Sequence, residues 1–85
     1  MKLVEELKFG DSFSLGESNF FLLTHDFRIR NKLKEYQAVD LRSGFYKWFP
    51  ADAIVKKIGL YTTDETNTIV AIQEYKDDYQ ISNQN

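Results

Sequence analysis

The stretch YQAVDLRSGFYKWFP, residues 36–50, restricts the fold more than any other segment of the chain. Two runs rich in Val, Leu, Phe, Tyr and Trp flank Ser43-Gly44, and a two-residue turn that contains glycine accepts the positive φ that tight hairpin turns need. With these two residues as the loop, Asp40 lies opposite Lys47, an opposite-charge pair on one face of the hairpin. The sequence therefore predicts an antiparallel β-hairpin with a two-residue turn.

The other segments are also short and mostly typical of strands. GDSFSLGESNFFLLTHDF predicts a strand, a tight turn and a second strand over about 20–27. IVKKI predicts a strand over 54–58, and the β-branched run within 68–79 favours a strand over a helix. VEEL near the N-terminus predicts one short helical turn, and YTTDETNT predicts a loop.

Five or six short strands in so small a chain predict an all-β fold. We expect a strongly bent antiparallel sheet that closes into an SH3-like barrel, because closure removes exposed strand edges. An OB-like barrel is the alternative. Residues 1–75 are expected to form this single domain, and the polar residues 76–85 to form a frayed C-terminal tail.

No motif in the sequence predicts catalysis, a metal or a cofactor. The chain has no cysteine, which excludes disulfides and cysteine-based zinc sites, and its four glycines are dispersed rather than grouped in a phosphate-binding loop. His25-Asp26 is the one His-acid neighbour pair, but no Ser or Cys motif accompanies it. The longest apolar runs have four residues, so we expect neither a signal peptide nor a membrane span.

The net charge of −2 is distributed unevenly along the chain. Residues 1–27 carry −3, residues 28–57 carry +5 and residues 58–85 carry −4. The segment RIRNKLKEY places four bases at every second position, which are Arg28, Arg30, Lys32 and Lys34. On one strand these bases would share a face, whereas around a loop they would point in different directions. We expect a protruding basic hairpin whose tip lies near Asn31.

Aromatic residues are concentrated in GFYKWFP. Strand alternation puts Tyr46 and Trp48 on one face and Phe45 and Phe49 on the other, so they cannot all point into a core. Exposed aromatics on a rigid hairpin are typical anchors for a protein partner or a stacked base. The alternative is that Phe45 or Phe49 packs beneath another segment of the fold.

Residues 7–58 resemble a loose group of small phage-encoded proteins with translation-type SH3-like barrels, most of them without an assigned role. The features that carry this resemblance are Gly10-Asp11, Tyr36-Gln37-Ala38-Val39-Asp40-Leu41, Gly44, Phe49, and Asp52 with Val55. The resemblance implies the barrel fold and says little about function. The insertion DFRIRNKLKE and the chain after Gly59 are not part of it.

These observations predict a small non-enzymatic binding protein, phage-encoded and located in the host cytoplasm, that docks on a host or phage protein as an inhibitor or modulator. The expected contact residues are Phe45, Tyr46, Trp48, Arg28, Arg30, Lys32 and Lys34. Nucleic-acid binding by the same fold is the alternative, although an acidic total charge is unusual for a dedicated binder. A structural or virion component is a further alternative. No cofactor, metal or membrane contact is expected.

Overall fold

The fold is all-β, as the sequence predicted. A computed structural model describes residues 1–74, so the predicted tail 76–85 lies outside the described part. The described strands are β1 (Lys2–Leu3), β2 (Ser12–Leu15), β3 (Asn19–Arg30), β4 (Leu33–Asp40), β5 (Tyr46–Pro50), β6 (Ile54–Ile58), β7 (Leu60–Thr63) and β8 (Ile69–Gln73). The predicted helical turn is a 3-10 turn over Val4–Glu6, in which the Leu3 N–H donates to Glu6 Oε1.

Six of these strands form one antiparallel sheet in the order β1-β6-β2-β3-β4-β5. The sheet is open rather than closed, so the predicted barrel closure is wrong. The edge strand β1 has only two residues, which is too short to pair along the other edge strand, β5. Strands β7 and β8 form a separate two-stranded hairpin.

The core lies on one face of the six-stranded sheet, which we call the core face; the opposite face is the outer face. Phe13, Phe21 and Phe49 meet there with ring centroids 5.0–5.5 Å apart, in stacked and edge-to-face contacts. Val4, Leu23, Ala38 and Val55 complete the buried cluster. Large aromatic side chains bury enough apolar area each to build a core in a chain of this length.

The hairpin of residues 36–50 has a different register from the one predicted. Val39 pairs with Tyr46 and Ala38 with Lys47, so Asp40 does not face Lys47. The Asp40 carboxylate instead accepts hydrogen bonds from the backbone N–H groups of the wider loop that follows, at 2.8 and 3.3 Å. A short polar side chain that bonds its own backbone two residues ahead stabilises such a turn.

The β7–β8 hairpin includes residues 61–63, for which the sequence predicts a loop, so that prediction is wrong. In the part of 68–79 that the structure describes, Ile69–Gln73 is a strand as expected. Gln73 joins this hairpin to the six-stranded sheet: its amide accepts a hydrogen bond from Ser12 Oγ at 3.1 Å and donates one to the Gly10 carbonyl. The second sheet is therefore tied to the first beside the start of β2.

Candidate binding surface

Strands β3 and β4 continue together to a shared tip as a two-stranded ribbon, which we define as residues 27–36; at its base Glu35 and Tyr36 also pair with β5. Its tip is a two-residue turn in which both central residues have positive φ, 52° at Asn31 and 65° at Lys32. This is the type I′ geometry, whose twist matches that of the flanking strands. The predicted basic hairpin with its tip near Asn31 is therefore confirmed.

The ribbon distributes its four bases over both faces. Arg28 pairs with Glu35 and Arg30 with Leu33, so the two arginines lie on the outer face with these partners. Lys34 pairs with Ile29 and lies on the other face. Lys32 is in the turn itself, so the four bases do not form a single strip.

On the outer face, Arg28, Trp48 and Tyr46 form a continuous row, which we call the outer row. The Arg28 guanidinium carbon lies 4.4 Å from the Trp48 ring centroid, and the Trp48 and Tyr46 centroids are 6.2 Å apart in an edge-to-face contact. Arg28 Nε also lies 2.6 Å from Glu35 Oε1, which fixes the guanidinium over the indole. Cation–π contacts at partly exposed positions contribute about 0.5–1 kcal/mol each.

The core-face side of the ribbon is also apolar and exposed. Phe27 is 52% exposed and Ile29 is 64% exposed, and these two side chains lie on the same side of β3. Lys34 Nζ lies 4.4 Å from the Phe27 ring centroid and 5.1 Å from that of Tyr36. The Phe27 and Tyr36 rings, with the Lys34 ammonium group close to both, thus lie beyond the end of the buried core.

The structure brings together only part of the predicted site. Tyr46, Trp48 and Arg28 are in contact along the outer row, and Arg30 follows on the same face. Phe45 precedes β5 and is 76% exposed, whereas Phe49 is buried in the core at 5% exposure. Sequence reasoning therefore separated the two aromatic faces correctly.

Sequence reasoning missed Phe27, Ile29 and Leu33 as exposed apolar residues of the ribbon. The signal was present, because Phe27 and Ile29 alternate with arginines as residues on a strand do. The predicted second strand ends near residue 27, whereas β3 continues to Arg30. A strand that continues past its sheet exposes both of its faces, so within residues 1–74 no layer covers these apolar side chains.

His25, the one histidine of the chain, is the side chain that the sequence offers as a candidate general base. His25 is exposed and packs edge-on against Phe9, with centroids 5.0 Å apart. Within the described residues, no group of three or more His, Cys, Asp or Glu side chains is placed to hold a metal ion.

Asp64 begins the β7–β8 loop, where the Thr66 hydroxyl and the backbone N–H groups of Thr66 and Thr68 hold the pKa of its carboxyl below the ordinary value.

Comparisons of the chain with protein-family models, with curated proteins and with solved structures each found no match. The resemblance to small phage-encoded proteins therefore stays a prediction. In residues 1–74, no helix has the length and apolar character needed to cross a membrane.

Proposed function

We propose that the protein is a non-enzymatic binding module that docks on a protein partner through the outer row and the adjoining ribbon. The observation that carries the proposal is the contact series Tyr46–Trp48–Arg28 on one exposed face. Tyr, Trp and Arg are the residue types that most often dominate the binding energy of protein interfaces. Phage origin, action in a host cytoplasm and inhibition of a host process belong to the same proposal; the sequence resemblance supports the phage origin alone.

The outer row is pre-organised for binding. Trp48 is adjacent in sequence to Phe49, which is locked in the core, and Glu35 holds Arg28 in place. Side chains fixed before association lose less conformational entropy when a partner binds. Tyr46 is 60% exposed, so a partner would remove much of its surface from water.

Affinity capture with three variants tests the proposal. We expect Tyr46→Ala and Trp48→Ala each to weaken capture of a specific partner by about tenfold or more, as truncation of interface anchors commonly does. Tyr61→Ala is the matched control, because Tyr61 is 54% exposed but lies on β7. Circular dichroism spectra must show that all three variants are folded. Equal loss of the partner in the Tyr61 variant, or retention in both outer-row variants, refutes the proposal.

A second candidate function, nucleic-acid binding, is favoured by the charge of the ribbon. Residues 27–36 carry four bases and one acid in a chain of net charge −2. A two-stranded β-ribbon fits the major groove of DNA, and phosphate contacts by Lys and Arg make affinity fall steeply with salt. Gel shifts with DNA and RNA over a salt series, with Arg30→Glu as the comparison, test this candidate. Absence of any shift at low salt removes it.

A further inference from the structure

The outer edge of β5 presents backbone groups for which the structure of residues 1–74 gives no partner strand. Among the described strands of the sheet, β5 is hydrogen-bonded to β4 alone. The Asp40 N–H donates to the Phe45 carbonyl at 2.7 Å, and the Ala51 N–H donates to the Lys34 carbonyl at 3.2 Å. In an antiparallel pair, residues that bond to the partner strand alternate with residues that do not. The backbone groups of Phe45 and Ala51 therefore point toward β4. By the same alternation, the N–H and C=O groups of Tyr46 and Trp48 point toward the open edge.

We propose that this edge binds, by strand addition, an extended segment of the protein partner in which an acidic residue stands between two apolar residues. The inference rests on the proposed function and names the chemistry of the partner. Each of the two open residues exchanges two hydrogen bonds with the residue opposite it in an added antiparallel strand. Pro50 has no N–H to donate, so regular pairing ends there.

The side chains of β5 define the three central residues of the added strand. The residues opposite Tyr46 and Trp48 lie on the outer face, beside two aromatic rings, where apolar side chains are favoured. The residue between them lies on the other face and opposite Lys47, which is exposed. A carboxylate at this position forms a cross-strand ion pair. The basic ribbon, adjacent to the Pro50 end of β5, adds attraction for further acidic residues.

Lys47 also decides against a second copy of this chain as the occupant. If two copies paired antiparallel through β5 with Lys47 at the centre, Tyr46 of one copy would lie opposite Trp48 of the other. This pairing would use the open N–H and C=O groups of these two residues. It would also place the two Lys47 side chains directly opposite each other, and like charges in that position are destabilising. Lysine and proline on an edge strand are common protections against self-association.

Short peptides and the single tryptophan of the chain provide the test. The probe is the acetylated, amidated peptide Thr-Val-Glu-Val-Thr, with two comparisons: the same peptide with Lys at its centre, and the Glu peptide with both valine nitrogens methylated. Binding is followed by Trp48 fluorescence and by the amide proton shifts of Tyr46 and Trp48 in ¹⁵N-labelled protein. We expect the Glu peptide to bind about fivefold more tightly than the Lys peptide, and the methylated peptide not to bind.

A charge exchange at Lys47 separates the proposed geometry from general attraction between opposite charges. Lys47→Glu should reverse the preference to the Lys peptide, whereas Lys56→Glu, an equal charge change at another exposed lysine, should leave the preference as it is. Binding of the methylated peptide, or a preference that Lys47→Glu does not reverse, overturns the inference. The inference is also overturned if sedimentation velocity shows that the wild-type protein is a dimer and that Lys47→Glu abolishes or strengthens this dimer.

The two proposals fail separately. If the outer-row variants lose the captured partner while no peptide binds the edge, strand addition is refuted and the docking function stands. If the peptides bind as expected while partner capture is insensitive to Tyr46 and Trp48, the docking function through the outer row is refuted instead.

Discussion

Replacement of Gln73 should weaken the attachment of the β7–β8 hairpin to the sheet, with a cost that depends on Ser12. Ser12 is fully buried, and its hydroxyl donates to Gln73 Oε1. Gln73→Ala leaves that hydroxyl without its acceptor, which costs about 1–3 kcal/mol, and removes the bond to the Gly10 carbonyl, worth about 1 kcal/mol. We expect a total loss of about 2–4 kcal/mol in the free energy of unfolding.

A double-mutant cycle tests this reasoning. Ser12→Ala should cost about 1 kcal/mol, and the double variant Ser12→Ala/Gln73→Ala about 2 kcal/mol, less than the two single costs together, because no orphaned hydroxyl remains. Gln73→Glu keeps the acceptor for Ser12 but cannot donate to Gly10, so its cost should be intermediate. Urea unfolding followed by Trp48 fluorescence gives the free energies, and amide hydrogen exchange in β8 shows whether the hairpin opens alone. If the sum of the two single-variant costs equals the double-variant cost within about 0.3 kcal/mol, the two side chains do not interact and the reasoning is refuted.

Three further predictions follow from single residues. Lys32→Gly should stabilise the fold by about 0.5 kcal/mol in thermal unfolding, since it relieves a left-handed conformation at the cost of a more flexible unfolded chain; a lower melting temperature would contradict this. Phe13→Ala should cost about 3–5 kcal/mol in urea unfolding, and the exposed control Phe9→Ala less than about 1 kcal/mol; similar costs would contradict the assigned core. The Asp64 carboxyl has a lowered folded pKa, so its stabilisation of the loop is present above its ordinary value of 3.8 and is lost as pH falls through the lower folded value. In an NMR titration the Thr66 amide should follow that lower pKa, and in Asp64→Asn the transition should disappear.

Much of the sheet was predictable because its strands are short, β-branched or aromatic, and bounded by turn residues. The strand over Ile54–Ile58 and the division of Tyr46 and Trp48 from Phe49 were both confirmed. The prediction of a two-residue turn at Ser43-Gly44 was wrong, because the Asp40 carboxylate stabilises a wider loop. The observed register differs from the predicted one by two residues, and a shift of two leaves every side chain on its face. The prediction that Tyr46 and Trp48 share one face is therefore correct although the predicted register is wrong.

The sheet edge was not predictable from local patterns. We expected barrel closure because it removes exposed edges, but closure depends on the lengths of strands that are distant in sequence. β1 has two residues and β5 has five, so the two edges cannot pair along their lengths. The open edge of β5, which carries the inferred binding geometry, is a consequence of that mismatch.

The basic segment shows why an alternating charge pattern cannot be assigned to a face until its turn is known. Within one strand, residues two apart share a face, so Arg28 and Arg30 lie together. The two-residue turn pairs Arg30 with Leu33, and this places Lys34 beside Ile29 on the opposite face. A three-residue turn would instead pair Arg30 with Lys34 and bring all three bases to one face. The length of the turn thus decides between a one-sided basic strip and a two-sided ribbon, and here the tight turn at Asn31 and Lys32 leaves Arg28 in the outer row and Arg30 next to it on the same face.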